Sequence, residues 1–581
     1  RCDYLHRHRA TRSYQMIEWD ELAKTYDYIF PYLKDNHEFA TALGRHIPWV
    51  KTPQDVIAYL DTYVLQYGAR ETMYYNHYLG QRQPEFLAAF AALQGDAEIS
   101  RPWMETLFSH VWIYSQPFAG IQDLIYQTTQ RDGTYSIGSY SYTMGGPSSI
   151  HVARWIEHYL AQGGEQRFNI LDPKRFPRMT EFPYFVIEAA VAGGHALHIG
   201  DVGGLTQGYG SGRHETHPLL RDGWRWTKDP QFAWCLANHG ARLTETDEEW
   251  QGIQEAAKRA PRNPFTAQRS RVLSDWAGIL EGNPDAQDFR YRSAARLRVG
   301  WGWGHSHRDS LDLNLWAMGM PVSGDHGNRP GYGFPDVVKS MLHNVVTIDH
   351  RDFDGNCWVA DLSDMAGCRY LRGRATYDAT AGTPGTFERQ VALIELDQGA
   401  VPDAPLNPKR PLPPGARLPR TYVVDFFRVA GGKVHTYNFH AAPEDEFVIN
   451  LPREDLTADE KELMKGYKME GEQSAATVQA DLTATWRLSR EAREFEIAGR
   501  GPRKTVAAEQ AMLGAAFDPQ SPRKYLRVHL PGQPGTRLLT GLWTAASYQA
   551  DSRQGDMARQ AHLVRPAAER VAQSTFAAVW E

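Results

Sequence analysis

Residues 304–319, GHSHRDSLDLNLWAMG, place His305, His307 and Asp309 at alternate positions and then run into an apolar segment. Alternate side chains of an extended strand share a face, so these three groups are expected on one face, which Leu311, Leu313 and Leu315 continue. Imidazoles and a carboxylate at the edge of a core need partners, and two later stretches supply them. GMPVSGDHGNRPGYG brings Asp325 and His326, and KSMLHNVVTIDH brings His343 and Asn344 ahead of a β-branched run. Imidazole nitrogen combined with carboxylate oxygen suits zinc or a similar divalent ion. His307, Asp325 and His343 form the economical ligand set, which leaves His305 for other work.

Three further stretches carry polar groups in settings that could bind or transform a ligand. YYNHYLG puts Asn76 and His77 late in a predicted helix, among aromatic residues. RDGTYSIGSYSYTMGG is a Gly- and Ser-rich loop opened by Asp132-Gly133 and carrying Tyr135, Tyr140 and Tyr142. LHIGDVGGLTQGYGSGRHETH is a second Gly-rich loop, with Asp201 and Tyr209. The Asn-His dipeptide recurs at Asn238-His239, so it decides nothing by itself.

The elements that must position these residues divide into two kinds. Residues 15 to about 275 read mostly helical: EWDELAKTYDYIFPYL, TPQDVIAYLDTYVLQYGARETMYYNHYL, QPEFLAAFAALQG, PWMETLFSHVWIYSQPFAGIQDLIYQ and SSIHVARWIEHYLAQG all space apolar residues by three and four. Such a series suggests an array of helical hairpins, open or closed into a ring. From about residue 285 the chain turns β-rich and partly alternating, as in HNVVTIDH, RTYVVDFFRVAGGKVHTYNFH, EFVINLP, ATVQADLTATWRL and KYLRVHLPG. Helices followed by strands point to separate domains, here 1–280 helical and 285–581 an antiparallel sandwich carrying the metal site. VPDAPLNPKRPLPPGARLPR, 401–420, reads as an exposed Pro-rich loop.

At 581 residues the chain can hold several large cores. No apolar run approaches the roughly 20 residues of a membrane span, and the net charge of −6 offers no global basic field for nucleic acid. The four cysteines are scattered without C-x-x-C spacing, which indicates neither a disulfide framework nor a thiolate zinc site. Seventeen Trp and 28 Tyr are enough to build sugar-stacking clefts as well as core. The chain starts at Arg1 without methionine and stops at FAAVWE, so both ends read as trimmed and the sequence sets no localisation.

In their order and combination these features resemble the heparinase II/III-type polysaccharide lyases. An NH helix is followed by DG-x-Y-x-x-GS-x-x-Y, then G-H-x-H-x-D, G-x-x-x-x-x-D-x-G, H-N-x-V, a late R-x-x-V-V-D and the final STFAAVWE. The likeness runs from about residue 70 to the end and is most specific over 285–350. It implies an α+β multidomain chain, with an N-terminal (α/α) toroid, a C-terminal antiparallel β-sandwich and an active site in the cleft between them. It implies β-elimination on a uronic-acid polysaccharide, one divalent ion (Zn2+) in a structural role on His307, Asp325 and His343, and a periplasmic or secreted location. His305 matches the family's catalytic histidine, Asn76 and His77 the residues beside the substrate carboxylate, and Tyr140 or Tyr142 the catalytic tyrosine.

The chemistry accounts for these residue types. Removing the proton on C5 of a uronate needs donors that stabilise the developing enolate, a task for Asn76 and His77. A base and an acid must then serve C5 and the oxygen on C4, which a tyrosine and His305 can divide or share. Competing readings are a cupin-like metal enzyme built on H-x-H, a glycoside hydrolase using Asp132 and Asp201, and a sugar-binding module stapled by zinc. The expected partner is an acidic polysaccharide or oligosaccharide; homo-oligomerisation stays open. Arg213, Arg225 and Arg308 are candidates for local anion contacts.

Overall fold

The structure, a computed structural model, describes residues 18–66, 83–134, 148–200, 218–239, 246–260, 264–284, 292–300, 306–325, 338–376, 385–396, 420–488, 524–543, 558–566 and 572–581, apart from short breaks inside these spans. The described residues form two compact units, one ending at Phe182 and one running from Pro183 to Glu581.

The first unit is built mainly of helices, at Glu18–Leu33, His37–Gly44, Pro53–Leu60, Gln83–Leu93, Ala97–Phe108, Ile121–Thr128 and Ser148–Ala161. Local chemistry sets their starts. Thr52 accepts from Asp55 N–H while the Asp55 carboxylate accepts from Thr52 N–H, a reciprocal cap with Pro53 in the first turn. One expected helix is broken: VWIYSQPF forms a short hairpin, β1 (Val111–Ile113) with β2 (Gln116–Phe118). Two bulky β-formers and Pro117, which cannot donate to a helical ladder, outweigh the apolar spacing there.

In the second unit short helices at Phe185–Glu188, Pro218–Thr227, Pro230–His239 and Asp247–Ala257 precede the strands. The strands start at Arg271, ahead of residue 285, with β3 (Arg271–Leu273), β4 (Ala277–Gly282), β5 (Ser293–Arg298), β6 (Leu313–Ala317) and β7 (Met320–Ser323) as a five-stranded meander. The others are β8 (Val346–Ile348), β9 (Cys357–Met365), β10 (Cys368–Thr376), β11 (Thr386–Leu396), β12 (Arg420–Ala430), β13 (Val434–His440), β14 (Glu444–Ile449), β15 (Met469–Thr477), β16 (Leu482–Leu488), β17 (Tyr525–Leu530), β18 (Arg537–Trp543), β19 (Ala558–Pro566) and β20 (Gln573–Trp580). A long sheet runs β14-β16-β17-β20-β12-β11-β10-β9, and a second five-stranded sheet runs β15-β18-β19-β13-β8. The segment 401–419 of the Pro-rich stretch lies outside the described residues.

Both shorter sheets pack on the long one and share a single apolar core. A Cβ at Gly373 of β10 would come within 2.6 Å of Leu297 and Leu311, so only glycine allows that approach of the meander. At the other end Phe439 of β13 packs edge-on against Trp486 and Trp580 of the long sheet, with centroids 5.9 and 6.3 Å away. Each such buried ring contributes on the order of 2 kcal/mol by leaving water. Buried polar groups tie the sheets as well. Arg389 of β11 donates to both carboxylate oxygens of Asp425 at 2.9 and 2.6 Å and to Leu311 O at 2.8 Å, and Tyr437 O–H donates to Asp425 at 2.6 Å.

His562 of β19 gives this unit a calculable acid sensitivity. Its ring lies 4.9 Å from that of Tyr467, and its Nδ1 is 2.8 Å from Asn438 Oδ1. Burial, with help from neighbouring His350 and His440, pushes its pKa down to about 3 from the ordinary 6.5. The folded state therefore holds it neutral while the unfolded chain protonates. The contribution is complete above pH 6.5 and is lost as pH falls towards 3, at about 1.4 kcal/mol per unit. Urea unfolding at pH 6.5 and 4.5 should show a loss of about 2–3 kcal/mol from this residue. His562→Gln should have a shallower acid slope; an equal slope would assign the loss elsewhere.

Candidate metal centre

The expected strand over 304–319 is corrected by the structure. β6 begins only at Leu313, and the described residues ahead of it form a loop closed by a turn in which Asp312 N–H donates to Asp309 O at 2.8 Å. Leu311 takes a left-handed conformation, φ 64°, and donates from its N–H to Arg298 O at 3.0 Å. That turn breaks the alternation, so His307 and Asp309 do not share a strand face with Leu313 and Leu315. The cupin-like alternative, which needs H-x-H on a strand, loses its footing at His307 for the same reason.

The loop nevertheless delivers His307 to the expected partners. Asp325 follows β7, and His343 follows a single 3-10 turn, Ser340–Leu342, just ahead of β8. His307 Nδ1 lies 2.9 Å and His343 Nδ1 3.7 Å from the same oxygen, Asp325 Oδ1. The two imidazole rings are 5.1 Å apart at their centroids. One ligand atom from each residue falls within 4.8 Å of the others, and all three residues are buried. Ligand atoms about 2.0–2.2 Å from a shared zinc occupy a span of this size. The donor set of two imidazoles and one carboxylate fits the ion by chemistry as well as by spacing.

Neighbouring charge supports a cation. Asp309, Asp312 and Asp325 are all buried, and with His343 they form a second group able to hold an ion. Arg296 reaches Asp312 at 3.3 Å and Arg298 reaches Asp309 at 3.7 Å. Three carboxylates and two guanidiniums are thus gathered in a medium where an uncompensated charge is costly. Burial pushes the Asp309 carboxyl up, against the pull of Arg298. Asp325 also accepts from Gly200 N–H at 3.3 Å, which ties the end of β7 to the segment around 197–200.

Asn344, noted in the sequence only as the neighbour of His343, ties the His343 segment to β6, β7 and β13. Its amide donates to Leu313 O at 2.7 Å and to Ser323 Oγ at 2.8 Å, while its oxygen accepts from His440 N–H at 2.9 Å. Its backbone N–H donates to Asp312 at 2.8 Å. Sequence reasoning missed Arg296 and Arg298; the available signal was two arginines at alternate positions of β5, whose residues are all buried.

Asn76, His77, Tyr140, Tyr142 and His305 lie outside the described residues, as do Asp201, Tyr209 and Arg213. Asn238 is described, and its amide is spent on Trp234 O of its own helix at 2.8 Å. Asp132 closes its own turn, accepting from Thr134 N–H at 3.1 Å and Thr134 Oγ1 at 2.8 Å. Arg225 and Arg308 face Glu249 and Asp352, at 3.6 and 2.9 Å.

The sequence matches no protein-family model and no curated protein. Solved structures match throughout most of the chain. A heparinase III superposes with a TM-score of 0.54 at 10% identity, covering 97% of this chain and 68% of that one. The chain has the heparinase III fold. A heparan sulfate lyase, HepC from Pedobacter heparinus, matches with a TM-score of 0.50 at 11% identity over 92% of this chain and 64% of that one. A second heparinase III gene product matches with 0.52 at 10% identity, over 91% and 63%. The chain thus spans about two-thirds of the length of the heparinase III structures it matches. In this chain helices are followed by antiparallel sheets, as the sequence-based reading expects.

Proposed function

We propose that the protein is a polysaccharide lyase that cleaves a uronic-acid-containing chain by β-elimination and leaves a 4,5-unsaturated end. The observation that carries this reading is the buried His307–Asp325–His343 cluster, set within the heparinase III fold two residues after His305. The helical part is read as belonging to an (α/α) toroid. A divalent ion, Zn2+ in this proposal, would cross-link the loop ahead of β6, the end of β7 and the start of β8, and so fix the approach to His305.

The chain's own residues then perform the elimination. Asn76 and His77 donate to the uronate carboxylate, which lowers the energy of the enolate formed as C5 loses its proton. The electron pair left on C5 forms the C4=C5 double bond as the C4–O bond breaks. His305 and Tyr140 or Tyr142 take the proton from C5 and protonate the departing oxygen.

Incubation with a panel of uronate polysaccharides, followed by ultraviolet absorbance and product mass, tests the reaction class. Unsaturated products support elimination; new reducing ends without absorbance would make the protein a hydrolase. Within the mechanism, Asn76→Ala is expected to lower turnover roughly 10²–10³-fold, the scale for one lost donor to a developing oxyanion. Thermal unfolding should be little changed. Full activity in Asn76→Ala would remove this residue from the site.

A further inference from the structure

The two imidazoles of the candidate metal centre ride on separate stretches of irregular backbone. His307 lies in the loop ahead of β6, and His343 follows the single 3-10 turn Ser340–Leu342. Neither histidine belongs to a strand, so the distance between them depends on individual hydrogen bonds rather than on a ladder.

Ser340 supplies three of those bonds. Its hydroxyl donates to Arg308 O at 2.6 Å and accepts from Phe353 N–H at 2.7 Å. Its carbonyl accepts from His343 N–H at 3.1 Å. One fully buried residue therefore holds the backbone next to His307 and the backbone of His343 at the same time. Asp352 adds a second bridge. One of its carboxylate oxygens accepts from Ser340 N–H at 2.9 Å, and the other accepts from Arg308 Nη1 at 2.9 Å. Arg308 N–H extends the set, donating to Val338 O at 2.9 Å.

These bonds do more than fill a core. A buried hydroxyl that both donates and accepts is fully used, and deleting it takes a partner from Arg308 O and from Phe353 N–H. Asn344 ties His343 to β6, β7 and β13, whereas Ser340 and Asp352 tie it to the His307 loop through Arg308. A zinc site tolerates ligand distances only within about 0.2 Å of the preferred values. A His307 loop free to drift from His343 would therefore bind the ion more weakly.

We infer that Ser340 and Asp352 are positioning residues of the metal centre, which set the spacing of His307 from His343 before an ion arrives. This role rests on the metal reading proposed above, and it assigns part of the site's affinity to groups that bind no ion themselves. It is independent of the polysaccharide chemistry and of His305.

Competition for zinc between the whole chain and a chromogenic chelator, well below the unfolding temperature, tests this role. Ser340→Ala should bind zinc roughly 10–100-fold more weakly than wild type, the range for a lost outer partner of a metal site. Ser340→Thr keeps the hydroxyl and should recover most of that loss. Asp352→Ala should weaken zinc binding in the same direction, and Asp352→Asn, which retains an acceptor for Ser340 N–H, should lose less. The Asp352 side chain is 19% exposed, so its variants carry the test if Ser340→Ala does not fold. Leu526→Ala, in the core side of β17, is the control for stability alone. It should lower the unfolding temperature and leave zinc affinity at the wild-type value. Wild-type affinity in Asp352→Ala and in any folded Ser340→Ala overturns the positioning role, as does an equal loss in Leu526→Ala. Both outcomes leave the metal centre standing. A wild type that takes up no zinc removes the metal centre itself, and the positioning role with it.

Discussion

His305→Ala is expected to lower turnover on a uronate polymer by roughly 10²–10⁴-fold, the usual range for a lost general acid or base, while keeping its metal and its fold. The same loss is expected of one variant from the pair Tyr140→Phe and Tyr142→Phe. Elimination needs two proton transfers on one sugar linkage, one at C5 and one at the oxygen leaving C4, and each group must come within hydrogen-bond reach. Phenylalanine keeps the ring and deletes only the hydroxyl, so it separates proton transfer from packing. The inactive variants should still bind polymer and unfold at the wild-type temperature. Single-turnover assays give the chemical step apart from product release. If both phenylalanine variants turn over normally, the tyrosine loop is packing and the proton must come from elsewhere. If His305→Ala loses its metal as well, His305 belongs to the ligand set and the division of labour between His305 and His307 is wrong.

The fold was largely legible because amphipathic periods survive in long elements. EWDELAKTYDYIFPYL is the helix Glu18–Leu33 to the residue, and RTYVVDFFRVAGGKVHTYNFH supplies β12 and β13, which are joined at Gly431-Gly432 and enter different sheets. Short elements were not legible. VWIYSQPF carried enough apolar residues to pass for helix, and only pairing of Val111 with Phe118 fixes it as a hairpin. The grouping of His307, Asp325 and His343 could be read from residue type and order, and the three side chains do converge. Their geometry could not. The left-handed Leu311 and the crossing bonds of Asn344 arise from contacts between strands far apart in sequence, and no local pattern encodes them. Asp309 was legible as a polar group at a core edge, but its partner Arg298, and Arg296 beside Asp312, come from β5 and were not.

Purified protein is expected to contain about one equivalent of zinc, and His307→Ala is expected to contain little and to unfold at markedly lower temperature. The size of the effect follows from burial. Asp325 sits fully buried with His307 Nδ1 at 2.9 Å and His343 Nδ1 at 3.7 Å. Removing one member of such a group exposes an uncompensated charge, a loss of about 3–5 kcal/mol for buried pairs, and forfeits the binding free energy of the ion as well. Asp325→Asn keeps the shape and deletes the charge, so it should lose zinc as His307→Ala does. Chelation of wild type should lower its unfolding temperature, and added zinc should restore it; His307→Ala should not respond to either. Elemental analysis and thermal unfolding read all of these directly. Retention of the ion by His307→Ala would move the centre to Asp309, Asp312, Asp325 and His343, which lie close enough to hold it without His307. A wild type without metal, and indifferent to added zinc, would leave the cluster as a hydrogen-bonded core, with Arg296 and Arg298 among the groups that balance its carboxylates.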